Sequence, residues 1–424
     1  MYVADSRAST PASAEGAARP VPAGRRLTAV APTVLALGTV SLVTDVSSEM
    51  VTAVLPLYLV TGLGLSPLGF GLLDGVYNGF SALVRLAGGH LADRGGGRHK
   101  WVAGAGYALS ALCKPLLLVA HTLTPIGLIL AADRTGKGLR TAPRDALISL
   151  SATPQTRGRA FGVHRAMDTA GALLGPLAAF LILRATVDGY DAVFTVSFCV
   201  AVLGVLVLVL FVPGSSSAPA IEAAVRPTLR AALGLLRHRD VRRITVCALL
   251  LGLATVSDSF VYLLLQHRLG VPDRWFALLP LGTAAAFLLL AVPLGRLADR
   301  VGRWRIFLAG HGALLLAYAL LLTSARGTYL PYAVLALHGA FYAATDGVLM
   351  AAASDSVPEA LRSSGLAVVQ TGQALARFAC SLGFGAAWSL WGDRTALLAS
   401  TVALGLCAAV SWFFLRPAAR EAAT

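Results

Sequence analysis

The stretch ADRTGKGLRTAPRD, Ala132–Asp145, carries six charged side chains: Asp133, Arg134, Lys137, Arg140, Arg144 and Asp145. Apolar runs flank it, LTPIGLILAA before and ALISLSA after. At 100° per residue, Asp133, Lys137, Arg140 and Arg144 fall within about a 60° arc, with Arg134 and Asp145 on the adjacent stripe. The pattern is therefore a helix with one polar side. Counted from Leu123 at roughly 1.5 Å per residue, Arg134 lies near the middle of a bilayer. A charge there costs about 2.5–3.5 kcal/mol on insertion scales, so the six must pair, hydrate or face a cavity.

The rest of the chain supports a membrane setting. Of 424 residues, 56% are hydrophobic and 13% charged, about half the charge of a soluble domain. Crossing a bilayer takes about 20 mostly apolar residues. Twelve such segments are expected, centred near Val46, Tyr77, Leu109, Gly136, Leu173, Leu203, Thr255, Ala284, Ala317, His338, Gly372 and Leu404. They are too long and glycine-rich for barrel strands and show no alternation. The five cysteines all fall in predicted spans and form no CxxC pair, which reads as small buried hydrophobes rather than metal ligands or disulfides. No metal and no cofactor is expected.

The net charge of +14 suggests nucleic acid, but its distribution excludes it. Lys and Arg concentrate in alternate loops, the positive-inside pattern. That predicts both termini in the cytoplasm of a multi-pass inner (cytoplasmic) membrane protein. Residues 1–27, rich in Ala, Pro, Ser and Arg, read as a disordered tail, and no cleavable leader is expected before the first span.

An internal repeat divides the chain. GHLADRGGGRHK, Gly89–Lys100, follows the second span, and GRLADRVGRWR, Gly295–Arg305, follows the eighth. A weaker echo pairs PQTR, 154–157, with PEALR, 358–362. The economical reading is two six-span halves, 28–213 and 242–416. Between them, 214–241 reads as a linker with a basic amphipathic helix at the membrane surface, and 417–424 as a tail.

Six plus six spans with Gly-x-Leu-Ala-Asp-Arg-x-Gly-Arg in the 2–3 and 8–9 loops resemble the major facilitator superfamily. The resemblance implies an all-α integral membrane fold of twelve helices in two pseudo-symmetric six-helix bundles. It also implies that Asp93, Arg94, Arg98, Asp299, Arg300 and Arg303 gate the inner face, with Asp145 binding Arg94 or Arg98. In the first copy Gly97 replaces the usual basic residue. Arg134-Thr-Gly-Lys137-Gly138 is similar to the span-four motif of bacterial drug/proton antiporters, with Lys137 in place of its glutamine. Gly171-x-x-x-Gly175-Pro176 is similar to their span-five hinge, although such spacings also serve packing alone, the role assigned to Gly71, Gly75 and Gly79.

The residues themselves nominate partners. Asp45 and Glu49 share a face of span one, and His164 and Asp168 a face of span five, with Arg165 three residues before Asp168. Asp45 and Glu49 are expected beside Arg134 as a proton-exchange centre, with Lys137, Arg140, His164 and Asp168 contributing. Arg144–Asp145 and Arg85–Asp74 read as structural or gating pairs, and His311 and His338 as packing residues. In the second half, Gln370, Gln373 and Arg377 make one polar face, expected in the cavity beside Asp258 or Asp346. Phe260, Tyr262, Phe341 and Tyr342 are expected to share substrate selection.

These readings converge on a monomeric secondary transporter that alternates access. The expected activity is proton-coupled export of a small organic molecule, with substrate, protons and lipid as partners. Uptake or facilitated flux of an organic anion, on Arg134, Lys137 and Arg140, is the alternative. An integral-membrane enzyme is the distant rival: His164-Arg-Ala-Met-Asp168 has HxxxD spacing, but no substrate domain surrounds it. The lone Gly-Lys lacks the strand and spacing of a phosphate loop.

Overall fold

A computed structural model describes residues 31–94, 99–153, 156–187, 189–213, 234, 239–323, 327–355 and 362–415. Every regular element among them is helical. Helix α1 (Pro32–Leu57) runs on into a π-helical turn, Tyr58–Gly62. There follow α2 (Pro67–Arg94), α3 (His99–Leu116), α4 (Leu123–Leu150), α5 (Arg157–Ala185) and α6 (Gly189–Phe211). The second half comprises α7 (Arg239–Ala254), α8 (Asp258–Leu269), α9 (Asp273–Phe276), α10 (Leu279–Val301), α11 (Arg303–Leu322), α12 (Leu330–Asp355) and α13 (Arg362–Leu415).

These make twelve crossings. By length and composition, eight stretches are apolar enough to span a bilayer, one of them Val369–Phe414. That stretch holds two crossings, because Gly392 at φ +81° breaks α13 into two legs. Three further crossings, α2, α3 and α4, fail the apolarity test because they carry the buried charges described below. Helices α7 and α8 form one crossing, as do α9 and α10. An even number of crossings puts Pro32 and Leu415 on one side, here called the terminal face. The linker helix and both tails expected from sequence lie outside the described residues, apart from Gly234 and Arg239–Val241.

The two halves pack by one plan. In the first, α1 lies against α5, and α4 against α2 and α3. Six crossings on, α7 lies against the first leg of α13, and α12 against α10 and α11. Between halves α2 meets α13 and α5 meets α10, a pair that the same offset exchanges. Small residues permit the approach. A Cβ on Gly71 would collide with the Ser381 carbonyl, and one on Gly75 would sit 3.0 Å from the Phe378 ring. The stripe Gly71, Gly75, Gly79 is thus the seam between halves.

The face opposite the termini is sealed. Phe70 meets Phe260 edge-on at 4.9 Å, and Phe180 stacks on Trp275 at 5.2 Å. Phe384 and Trp388 complete the plug around Phe260. Each aromatic pair adds about 0.5–1.5 kcal/mol beyond its burial. Leu68 N–H donates to Ser389 Oγ at 2.9 Å across the seam.

At this far face, Asp393 follows the Gly392 kink and accepts from Arg268 Nη1 at 3.1 Å, with His267 Nδ1 at 3.3 Å. Burial pushes the carboxyl up, but Arg268, the Arg394 backbone N–H and His267 outweigh it and hold it below the usual range. A depressed folded value means the stabilisation is complete above the ordinary carboxylate range and is lost as pH falls through the folded value. Asp393→Asn is therefore expected to melt below wild type from neutral pH down to the ordinary carboxylate range, the gap closing as pH falls further through the depressed folded value. Thermal melts of both proteins across that range are the check, and a constant gap would refute the assignment.

Span seven breaks between Ala254 and Asp258. The freed Val256 N–H donates to Tyr318 Oη, shown by the 2.8 Å N–O distance, and Cys380 Sγ donates to the Thr255 carbonyl at 3.1 Å. Broken helices survive at membrane depth only where such partners satisfy the backbone.

A charged lattice on helix four, the candidate functional site

Helix α4 meets α1, α2, α3 and α5, so its polar side is enclosed by protein. It runs without a break through Pro143. Close approach to α3 comes from two glycines: a Cβ on Gly136 would stand 2.6 Å from the Gly106 carbonyl.

The six charges of the opening stretch distribute turn by turn. Asp133 is buried and accepts from Lys114 Nζ at 3.0 Å, Arg134 Nη2 at 2.5 Å and Ser110 Oγ at 2.8 Å. The Arg134 guanidinium also lies over the Tyr77 ring, 3.8 Å from its centroid. Arg140 reaches Asp45 on α1 at 3.3 Å and stacks on Tyr107 at 4.5 Å. Arg144 pairs with Asp145 at 3.0 Å and with Asp168 on α5 at 3.7 Å. Lys137 is the loosest: its Nζ stands 4.0 Å from Glu49 Oε1, with side chains 37% and 26% exposed.

This geometry corrects the sequence expectation. Arg134 is not the partner of Asp45 and Glu49. It is held by its neighbour Asp133 and by Tyr77, while the two acids of α1 go to Arg140 and Lys137, one turn or more further along α4. His164 turns to Ser41 Oγ, with Nε2 at 2.9 Å. Asp168 takes Arg144 and, at 3.6 Å, Arg165. The expected Arg85–Asp74 pair falls on a side chain, that of Arg85, outside the described residues.

Gly171 and Gly175 bring α5 onto α1. A Cβ at Gly175 would stand 2.6 Å from the Glu49 Cβ, and one at Gly171 would strike the Leu42 carbonyl. The helix passes through Pro176 unbroken, so in this conformation the motif is a packing seam that sets where Glu49 sits. Of the loop motifs, the second copy shows Asp299 paired with Arg303 at 3.4 Å. Gly302 between the helices has φ +110°, a conformation that favours glycine. Arg300 is exposed. The side chains of Asp93 and Arg94, and all of Arg98, lie outside the described residues. Asp145 is engaged by Arg144.

In the second half, a cleft is lined by His311, Thr345, Asp346, Gln373 and Arg377. It lies between mid-membrane and the terminal face. Gln370 leaves this face and contacts Met350 Sδ at 3.5 Å. Asp258 accepts a short hydrogen bond from Tyr342 Oη, and His338 Nε2 lies 3.5 Å from the same carboxylate. Neither ring nitrogen of His338 makes a hydrogen bond, whereas His311 is satisfied by the Phe307 carbonyl at 2.9 Å. Phe260 belongs to the far-face plug, and Tyr262 donates to Thr283 Oγ1 at 3.1 Å, so neither lines the cleft; Phe341 does. Among the described residues no group of three His, Cys, Asp or Glu gathers as a metal site.

Sequence reasoning missed Lys114, Tyr77 and Tyr107. Lys114 had a signal: a lone lysine inside the apolar run ALCKPLLL. The two tyrosines had none, since aromatic residues are ordinary in membrane helices.

The pseudo-symmetric twelve-crossing plan now meets a family pattern. The family model of the Major Facilitator Superfamily matches residues 37–380 and 277–424. The chain belongs to the Major Facilitator Superfamily. This facilitator is 29% identical over 377 residues to an uncharacterised MFS-type transporter of Methanocaldococcus jannaschii, covering 87% of the chain and 91% of that relative. A protein of Mycobacterium tuberculosis is 35% identical over 175 residues, 41% of each chain. Among solved structures, the nucleoside transporter NupG superposes with TM-score 0.75 at 13% identity, covering 91% of this facilitator and 100% of NupG. A bacterial homologue of the lysosomal transporter Spinster, inward-facing and unoccupied, gives TM-score 0.71 at 15% identity over 90% and 96%. At these identities the superpositions establish the fold. The protein is a multi-pass membrane transporter of this family.

Proposed function

We propose that this facilitator is a proton-coupled transporter of a small organic anion, with Glu49–Lys137 as the point where proton and substrate meet. The loose pair at 4.0 Å carries the reading. Every other cation of α4 is held at 3.3 Å or less by a carboxylate. An anion that takes Lys137 strips Glu49 of its counter-charge, and a proton on Glu49 relieves the loss. A proton on Glu49 in turn frees Lys137 for the anion. The two ligands therefore assist each other by the same factor, which couples them in one direction across the membrane. The halves 28–213 and 242–416 would rock about the α2–α13 and α5–α10 seams. The chain acts as a monomer in the inner membrane with both termini in the cytoplasm, a placement supported by the positive-inside pattern.

Proton-driven export is the second reading, supported by the resemblance of the loop and span-five motifs to drug/proton antiporters. It requires a cationic substrate to displace the proton from an acid. The arginine on which that resemblance leaned is occupied by Asp133 and Tyr77, and this weighs against it.

Proteoliposomes holding purified protein and a pH-sensitive dye separate the two. Organic anions and cationic drugs are added outside at matched pH and potential. Anions that carry protons in with them support the proposal. Cations that drive protons out replace it with export, and anion flux without protons removes the coupling.

A further inference from the structure

Two opposite charges of the second half have no part in this scheme. Asp346 on α12 and Arg377 on α13 line the same cleft, Asp346 exposed to it and Arg377 half-buried. Each acts on the other's charge. Among the described residues, neither makes an ion pair or a hydrogen bond. Their other charged neighbours are engaged elsewhere. Tyr342 donates to Asp258, and Arg165 lies 3.6 Å from Asp168.

The rest of the wall sorts acceptors from donors. His311 Nδ1 stands 2.9 Å from the Phe307 carbonyl. A carbonyl only accepts, so Nδ1 carries the proton and the neutral ring keeps Nε2 as an acceptor. Thr345 Oγ1 donates to the Phe341 carbonyl at 2.8 Å and keeps its lone pairs. With the Asp346 carboxylate, α11 and α12 therefore present acceptors to the cleft. Helix α13 presents donors: the Arg377 guanidinium and, one turn before it on the same face, the Gln373 amide. Leu251, Phe307 and Phe341 supply apolar wall beside them. A charge without a counter-charge is costly at membrane depth. Two opposite charges that share a cleft and stand apart suit a ligand that carries both signs.

We propose that this cleft binds the zwitterionic head of a small amino acid, with its ammonium on Asp346, His311 and Thr345 and its carboxylate on Arg377 and Gln373. The head supplies the counter-charge that each wall lacks, and a guanidinium can hold a carboxylate by two parallel hydrogen bonds. A ligand of one sign leaves the opposite wall charge unanswered, so the cleft discriminates against plain acids and plain amines. The site stands on the second half alone. Only its extension to the first half rests on the Glu49–Lys137 reading: an amino acid with a second acid group would offer that group to Lys137 and count as the anion.

The test uses the full chain in lipid nanodiscs, with binding read by calorimetry and by the rise in melting temperature. Two matched sets are compared: glutamate with glutarate and γ-aminobutyrate, and phenylalanine with phenylpropionate and phenylethylamine. Each set removes the ammonium or the head carboxylate and keeps the rest. At least one zwitterion is expected to bind about tenfold or more tighter than both of its analogues. Arg377→Gln should bring that zwitterion down to the level of its amine, and Asp346→Asn to the level of its acid, while Arg377→Lys keeps part of the preference. Melting without ligand shows that each variant folds. Glu49→Gln should leave the preference intact, which separates this site from the exchange pair. Anions that enter with protons but bind no worse than the zwitterions would overturn this site and leave the exchange pair standing. A preference that both Arg377→Gln and Asp346→Asn leave unchanged would overturn it as well.

Discussion

Replacing Asp133 by alanine is expected to destabilise the protein by about 3–5 kcal/mol, the range for breaking a buried ion pair from one side. The substitution strands Lys114 and Arg134, whose side chains are 5% and 7% exposed. Arg134 keeps the Tyr77 ring, but Lys114 keeps only its 2.8 Å bond to the Ser110 carbonyl. The reverse change is milder: Lys114→Met leaves Asp133 with Arg134 and Ser110, and should cost less. The double variant Asp133→Asn, Lys114→Met should recover a good part of the loss, because one stranded charge is gone. Thermal or denaturant melts of the four proteins in one detergent give the comparison. An Asp133→Ala protein within about 0.5 kcal/mol of wild type, the range of an ordinary surface change, would show that the cluster does not hold α3 to α4.

Glu49→Gln has the second large expected effect, on transport rather than folding. Glutamine keeps the shape and can still accept from Lys137, but it takes up no proton in the working range. Exchange of substrate for substrate across the bilayer should persist, while accumulation driven by a proton gradient should fall by at least about tenfold. Lys137→Gln should instead lose both. A charge-assisted hydrogen bond to the substrate contributes about 1.5–3 kcal/mol, or roughly 10- to 150-fold in affinity. Both rates can be read in the proteoliposomes described above. A Glu49→Gln protein that still concentrates substrate would place the proton site elsewhere, with Asp45 and Asp168 the next to test.

The fold was legible because it rests on counting. Apolar length gave the crossings, and the LADR repeat gave the halves, since neither depends on which helix touches which. The charged stretch was legible as a one-sided helix for the same reason. Its pairings were not. Periodicity says that Asp45 and Glu49 share a face of α1, but how α1 and α4 stand against their neighbours depends on contacts such as Gly175 of α5 against Glu49 and Gly136 of α4 against Gly106 of α3. A shift of one turn moves Glu49 from Arg134 to Lys137. The site residues of the second half were harder still. Phe260 and Phe341 look alike in sequence, and only the packing assigns one to the far-face plug and the other to the cleft.

The lattice on α4 also dictates an order of assembly. Alone, this helix is too polar to leave the translocation machinery for lipid, at about 2.5–3.5 kcal/mol for each central charge. Its counter-charges are Asp45 and Glu49 on α1 and Lys114 on α3, with Tyr77 and Tyr107 as aromatic covers. All five are synthesised earlier, so a docking surface is already waiting when α4 emerges. Asp168 alone comes later, leaving Arg144 with Asp145 until α5 arrives. Nascent chains arrested after residue 153 should therefore hold α4 in the bilayer, and the same arrest with α1 removed should let it slip out.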